Sequence, residues 1–257
     1  SNRLSIEEQV KIGAETLKNR FKAEKFMSYF QAFSNTYKPV GELEKIYKAS
    51  LTHPDIVGLS IGTRPDCIDN DKLKLISSFT QDYYTWIEYG LQSVHDKTLL
   101  KINRGHDYKC FLKAYEKTKE AGINICLHII LNLFETYDEM MQTAKTIAKL
   151  EPEGVKIHML CALEGTKITE MYPSSLLFRQ KNRRTVNSAR LFTDLIIFCF
   201  YNTNFLINTI PPASIIKTVN PNAKYVFTLP VAIDNITGAS SMSSSPSFLL
   251  SGVESLS

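Results

Sequence analysis

Apolar positions recur along the first two thirds of the chain with two periods, one typical of helices and one typical of strands. Ser5 followed by Glu8 predicts a capping box, and the apolar positions from Ile6 to Phe21 recur at helical spacing. Further helices are predicted after Pro39 and over residues 72–79, 97–102, 108–121 and 137–150. Strands are predicted over residues 26–33, 56–61, 84–89, 123–131 and 155–160. Strands and helices therefore alternate along this part of the chain.

This alternation predicts an α/β fold with a parallel sheet. Strands joined through single helices run parallel, because the right-handed crossover is the common way for a chain to return to the same sheet. The predicted strands are largely apolar runs, as in sheets that are covered on both faces. Binding residues in such folds, open or closed into a barrel, gather at the carboxyl ends of the strands.

The alternation stops near Pro173, and the sequence beyond it has a different character. Residues 173–257 contain one apolar block at 191–200 and one strand-like stretch at 225–229, and nine of residues 240–257 are serine. We therefore predict one domain over residues 1–172 and an unmatched segment over 173–257. Residues 240–257 are expected to be disordered, because serine-rich sequence buries little apolar surface.

Composition and charge narrow the class of protein. A chain of 257 residues with 44% hydrophobic content is long enough to bury a sizeable core. Residues 1–172 hold 23 Lys and Arg against 23 Asp and Glu of the 30 and 26 in total, so a general basic surface for nucleic acid is not supported there. The best apolar stretch, residues 195–206, is broken by Asn202 and Asn204, and the first residues are polar. We expect a cytoplasmic protein without a membrane span.

The five cysteines are far apart, with no two closer than sixteen positions. This spacing is unlike a disulfide framework and contains no metal-binding motif. We therefore assign no metal ligand to any residue of the chain. The cysteines are Cys67, Cys110, Cys126, Cys161 and Cys199.

Polar residues follow the third predicted strand and offer the chemistry of a ligand site. Glu88 and Gln92 lie at its end, where a carboxylate and an amide suit the hydroxyl groups of a ribose. Arg104 follows shortly after, beside Gly105, and a guanidinium pairs well with a carboxylate. The alternative is a capped loop with an exposed arginine.

Three further sets of residues have both a structural and a functional interpretation. Arg64 and Asp66 directly follow the second strand, where they either form a salt-bridged turn or line a site. Gln31 lies near the end of the first predicted strand among aromatic residues. His128 and His158 lie on the last two strands, either as satisfied core residues or as groups that face the interior of a barrel with a ligand or proton-transfer role.

Four segments, in order, resemble one family. They are YFQAFSNTY at residues 29–37, GLSIGTRPDC at 58–67, EYGLQSVHD at 88–96 and INRGHDY at 102–108. These segments are similar to the YhcC-type radical S-adenosylmethionine (SAM) proteins, which are related to the radical domain of the Elongator catalytic subunit. The similarity extends from about residue 5 to residue 172 and includes VKIH at 155–158.

The resemblance implies a partial (β/α)6 barrel that binds S-adenosylmethionine and a [4Fe-4S] cluster, which cleaves the cofactor reductively to a 5′-deoxyadenosyl radical. It implies that Glu88 and Gln92 face the nucleoside, that Arg104 binds the methionyl carboxylate and that Gln31 lies near the methionyl amine. The cofactor-binding residues that the resemblance implies are Gln31, Arg64, Asp66, Glu88, Gln92 and Arg104.

Three departures from the family pattern qualify the expected fold, and one is that the residues after Pro173 do not resemble the carboxyl-terminal extension of the family. The cluster cysteines and the first strand of the family precede the capping-box helix, so we expect a barrel without that strand and without the cluster loop. After the fifth strand of the family barrel, this chain reads NLFET at 132–136 where the family has GLPGET. The leading interpretation is a fragment or degenerate member of a radical SAM enzyme family. The alternative is a non-catalytic binding module, for an RNA or protein partner, or a non-functional remnant.

Overall fold

The computed structural model describes residues 4–31, 33–160 and 165–171, together with the backbone of three short strands further along the chain. The helices are α1 (Ile6–Phe21), α2 (Val40–Ser50), α3 (Asn70–Ser77), α4 (Asp96–Lys101), α5 (Tyr108–Glu120), α6 (Tyr137–Leu150) and α7 (Lys167–Met171). The strands are β1 (Lys25–Phe30), β2 (Ile56–Thr63), β3 (Tyr84–Gln92), β4 (Asn124–Leu131), β5 (Gly154–Met159), β6 (Leu206–Asn208), β7 (Ile215–Ile216) and β8 (Val226–Val231).

The strands form one sheet in the order β6-β5-β4-β3-β2-β1-β8-β7. Strands β1 to β5 lie side by side in chain order and pair in parallel, which confirms the predicted parallel α/β fold and gives a half-barrel. Helix α1 begins with the predicted capping box between Ser5 and Glu8. The carboxyl ends of β1 to β5 therefore meet at one edge of the sheet.

One face of this sheet packs against the helices and forms the hydrophobic core. Alternate residues along each strand point to this face, because side chains in a strand alternate between its two sides. Each buried large apolar side chain contributes about 1.5–3 kcal/mol of transfer free energy. The core residues that the five strands supply are Phe26, Phe30, Ile56, Leu59, Ile61, Ile87, Tyr89, Leu91, Ile125, Leu127, Ile129, Leu131, Val155 and Ile157.

The predicted strands differ from the structure by one to three residues at their ends, and the two largest differences lie at the ends of β1 and β3. Strand β1 ends at Phe30 rather than at residue 33, because the Asn35 amide donates to the carbonyl oxygens of Phe30 and Gly62 and holds the chain in a turn. Strand β3 continues beyond Tyr89 to Gln92. Its register against β4 shifts between those two residues, so a bulge lies in this part of the strand.

Part of the segment after Pro173 joins the sheet. The predicted strand-like stretch at 225–229 corresponds to β8, which pairs in parallel with β1 and antiparallel with β7. The apolar block at 191–200 and residues 240–257 lie outside the described residues, so their predicted character stays a prediction, as does the domain boundary at residue 172. Within the described part of the chain, no helix is long and apolar enough to cross a membrane.

Candidate ligand-binding cavity

The concave face of the half-barrel, opposite the helices, opens into a cavity of about 590 Å³. The cavity lies at the carboxyl ends of β1, β2 and β3, where residues of parallel strands meet. All six residues that the sequence analysis assigns to cofactor binding line it: Gln31, Arg64, Asp66, Glu88, Gln92 and Arg104. The structure thus brings together four sequence segments that span 74 residues, from Gln31 to Arg104.

Arg104 is a partly buried cation without a carboxylate partner among the described residues. Its Nε and Nη2 both donate to the carbonyl oxygen of Gly90, at 2.9 and 2.6 Å. Burial, and then the nearby guanidinium of Arg64, lowers the pKa of Arg104. A desolvated cation held in this way is stabilised by an anion in the cavity.

Two glycines provide the space in which two guanidinium groups lie. A Cβ atom on Gly90 would lie 2.3 Å from Arg104 Nη2, and one on Gly105 would lie 2.7 Å from Arg64 Nη2. Both distances are well below a van der Waals contact. Gly105 also has φ of +82°, in the left-handed region that favours glycine. In these positions the two guanidinium groups occupy space that a larger residue would need.

Arg64 and Asp66 form a salt bridge, as in the salt-bridged turn that was one of the two predicted alternatives. Arg64 Nε and Nη2 donate to the two carboxylate oxygens of Asp66 at 2.9 and 2.6 Å. Burial acts to raise the pKa of Asp66, but the hydrogen bonds and charge of Arg64 dominate and lower it. The pair is therefore ionised and largely neutralised on the cavity rim, whereas Arg104 keeps an unneutralised charge.

Gln92 is the last residue of β3 and is held in an unusual backbone conformation. Its φ is +72°, which a residue other than glycine rarely adopts. Its Oε1 atom is buried and has no hydrogen-bond partner among the described residues. Leaving a buried acceptor unpaired costs about 1–3 kcal/mol. A strained residue with an unpaired acceptor in a cavity indicates a place for a ligand donor.

Glu88 lies at the floor of the cavity, with both carboxylate oxygens engaged. Its Oε1 accepts from Ser60 Oγ at 2.7 Å, and its Oε2 accepts from Tyr29 Oη at 2.7 Å, His128 Nε2 at 2.7 Å and Lys156 Nζ at 2.5 Å. Burial acts to raise the pKa of Glu88, but the His128 hydrogen bond and the Lys156 charge outweigh it and lower the pKa. The carboxylate is therefore ionised, and its nucleoside contact stays a prediction.

We call these five residues, Tyr29, Ser60, Glu88, His128 and Lys156, the floor network. Glu88 and His128 are candidate site residues by sequence, whereas no local pattern indicates a role for the other three. The available signal was Lys156, a lysine inside an otherwise apolar strand, which is 2% exposed. Its ammonium group also lies 4.4 Å from the centroid of the Tyr29 ring.

The described cysteines do not fit a [4Fe-4S] cluster. Such a cluster is held by thiolates placed close together. Among the described residues, the one group of three possible metal ligands is Glu88, Cys126 and His128, with a single thiol. Burial raises the pKa of Cys126 and keeps it protonated, and the Lys156 ammonium already lies against Glu88. An ammonium in contact with this carboxylate repels a second cation there.

Comparison with known proteins defines the class to which this fold and cavity belong. The model of the radical SAM superfamily matches residues 2–147, and the chain belongs to that superfamily. A structure of archaeal Elp3 from Methanocaldococcus infernus has the same fold, with a TM-score of 0.58, 18% identity and coverage of 90% of this chain and 53% of that one.

Within the superfamily, the chain is of the YhcC type. It is 36% identical over 175 residues to the protein YhcC of Escherichia coli, covering 67% of this chain and 56% of that protein. It is 43% identical over 175 residues to the protein MJ0486 of Methanocaldococcus jannaschii, covering 67% of this chain and 54% of that one. The chain thus spans about half the length of these relatives.

Proposed function

We propose that the cavity binds S-adenosylmethionine and that the chain is the cofactor-binding part of a YhcC-type radical SAM enzyme. The observation that carries the proposal is Arg104, a desolvated guanidinium that has no carboxylate partner among the described residues and faces a cavity. The methionyl carboxylate of the cofactor supplies the missing anion. The unpaired Oε1 of Gln92 supports a ligand with hydrogen-bond donors at the same place.

The proposed roles follow from the positions of the side chains. Arg104 binds the carboxylate, Gln92 accepts from a hydroxyl or amine, and Gln31, which is exposed at the mouth, reaches the methionyl amine. The Arg64–Asp66 pair lines the rim, and its internal salt bridge leaves the charge of Arg104 available to a ligand. When bound, S-adenosylmethionine in this superfamily supplies a carbon radical that abstracts hydrogen. What these residues contribute is binding and orientation.

Calorimetric titration of the chain with S-adenosylmethionine tests this proposal. Arg104→Ala is expected to weaken binding by about 1.5–3 kcal/mol, since it removes a charge-assisted hydrogen bond. The control is Lys109→Ala, which also removes one positive charge but lies on the exposed side of α5, away from the cavity. The proposal fails if Arg104→Ala binds as tightly as the unsubstituted chain, or if that chain does not bind.

A second candidate is a binding module that does not perform radical chemistry. The observation behind it is the one group of possible metal ligands among the described residues, which holds a single thiol, whereas cluster iron needs closely placed thiolates. Anaerobic reconstitution of residues 1–257 with iron and sulfide, followed by iron counting and electron paramagnetic resonance, tests whether these residues alone hold a cluster. About four irons per chain with a reducible signal would exclude the module. We expect no stable cluster from these residues alone.

A further inference from the structure

His128 presents one ring nitrogen to the floor network and leaves the other available. Its Nε2 lies 2.7 Å from Glu88 Oε2, and because a carboxylate accepts, Nε2 carries the hydrogen and donates. No described residue forms a hydrogen bond with Nδ1. The side chain is 18% exposed and lines the cavity. In the neutral ring, Nδ1 is therefore an acceptor that faces the space where a ligand binds.

Buried side chains of the protein hold the Glu88 carboxylate in one orientation, whether or not a ligand is bound. Lys156, Tyr29 and Ser60 each donate to its carboxylate, and all are nearly or completely buried. A carboxylate fixed in this way sets the tautomer and the orientation of the imidazole that it contacts, and it stabilises the imidazolium that forms when the ring takes up a proton. Since both oxygens of Glu88 already accept hydrogen bonds, its effect on a ligand is to position the His128 ring.

We propose that His128 is a proton-accepting group of this cavity, acting through Nδ1 on a hydroxyl or a neutral amine of a bound ligand, with Glu88 and Lys156 as positioning residues. The nitrogen lone pair takes the proton, and the electron pair of the broken O–H or N–H bond stays on the ligand atom. The positive charge gained by the ring is balanced by Glu88 through the Nε2–H donor. The step requires no oxidant or reductant.

The neighbouring side chains favour a neutral hydrogen-bond donor as the ligand group. His158 lies beside His128, with ring centroids 5.4 Å apart. Burial, together with His128 and Lys156, lowers the pKa of His158 to about 4, so its ring is neutral at pH 7 and does not compete for charge with His128. The Lys156 ammonium and the Glu88 carboxylate are paired, so their charges largely cancel toward a ligand at this place.

Carbethoxylation by diethyl pyrocarbonate measures whether this lone pair is available and activated. The reagent attacks an unprotonated imidazole nitrogen, and mass spectrometry of peptides gives the rate at each histidine. His53, in the loop before β2 and away from the cavity, is the internal reference. In the unsubstituted chain, His128 should react faster than His53.

Substitution of the partners tests whether Glu88 activates the ring. Glu88→Gln should lower the ratio of the His128 rate to the His53 rate about tenfold, the factor that corresponds to one charge-assisted hydrogen bond of about 1.4 kcal/mol. Because Glu88→Gln leaves Lys156 buried without its counterion, the double variant Glu88→Gln/Lys156→Met, which removes both charges, should show the same fall. An unchanged ratio in the double variant, or an unreactive His128 in the unsubstituted chain, would overturn the proposal.

This inference uses the cavity of the proposed function, but the two proposals fail separately. A chain that does not bind S-adenosylmethionine refutes the cofactor proposal and leaves the reactivity ratio intact. An unchanged ratio refutes the role of His128 whatever the calorimetry shows.

Discussion

The two faces of the same five strands have opposite character. The face toward the helices is apolar and continuous, whereas the concave face carries Glu88, His128 and Lys156 in adjacent strands. Both sets of residues alternate along the same backbone, so each strand supplies one side chain to the core and the next to the cavity. The difference shows that one face stabilises the fold and the other is free to carry chemistry.

The energetic cost of the two faces also differs. Burying an apolar side chain is favourable by itself, but taking Glu88 and Lys156 out of water costs several kcal/mol that their attraction offsets only with good geometry. Apolar residues of similar size would stabilise the sheet at least as well. A buried ion pair at the floor of a cavity is therefore better explained by what it does for His128 than by stability.

The largest effect is expected from breaking the floor network. Lys156→Met leaves the Glu88 charge buried without its ammonium partner and should reduce the free energy of unfolding by about 3–5 kcal/mol. The double variant Glu88→Gln/Lys156→Met should recover much of that loss, because no isolated charge remains. Urea denaturation of both variants measures the difference. A loss below about 1 kcal/mol in Lys156→Met would mean that the pair is not buried as described.

The helix-facing side should respond to volume rather than to charge. Leu59, which is completely buried in β2, contributes only apolar contacts. Leu59→Ala should cost about 3 kcal/mol, from lost transfer free energy and the cavity that remains. Unlike the loss in Lys156→Met, this loss should be independent of any second substitution in the floor network. Coupling between Leu59→Ala and Glu88→Gln in a double-mutant cycle would contradict the separation of the two faces.

The helix-facing side of the sheet could be predicted from the sequence, whereas the floor network of the concave face could not. The period of apolar residues located the helices and strands of the core within a few residues, because the helix-facing side is set by local alternation. The contact between Glu88 and Lys156 joins residues 68 positions apart, and that between Tyr29 and Glu88 joins residues 59 apart. No local pattern encodes such a pairing, which depends on the order and register of parallel strands. The local sequence around Lys156 therefore indicates no role for this residue.

The pH dependence of stability should report on the concave face. The pKa of His158 is lowered to about 4 by burial first, and then by His128 and Lys156, so the folded state resists protonation of this ring. The stability that the neutral His158 ring contributes is fully present above the pKa of histidine in the unfolded chain, near 6.5. It is lost as the pH falls toward 4. Because the ring is partly exposed, we expect a loss of about 2 kcal/mol between pH 7 and pH 4.

The matched variant is His158→Gln, which cannot titrate. Between pH 7 and pH 4, the free energy of unfolding of this variant should fall by about 2 kcal/mol less than that of the unsubstituted chain. Equal slopes in the two proteins would show that His158 titrates normally in the folded state.

The smallest effect concerns a single methyl group on the cavity wall and depends on the proposed binding of S-adenosylmethionine. Gly90→Ala would place a Cβ atom 2.3 Å from Arg104 Nη2, so the guanidinium must move away from the Gly90 carbonyl oxygen. We expect cofactor affinity to fall about tenfold, or about 1.4 kcal/mol, because one charge-assisted contact is misplaced rather than lost. Gly41→Ala is the control, since a Cβ there meets nothing within 4 Å. Calorimetry measures the affinity of each variant for S-adenosylmethionine. If both variants bind the cofactor as tightly as the unsubstituted chain, Gly90 does not set the position of Arg104.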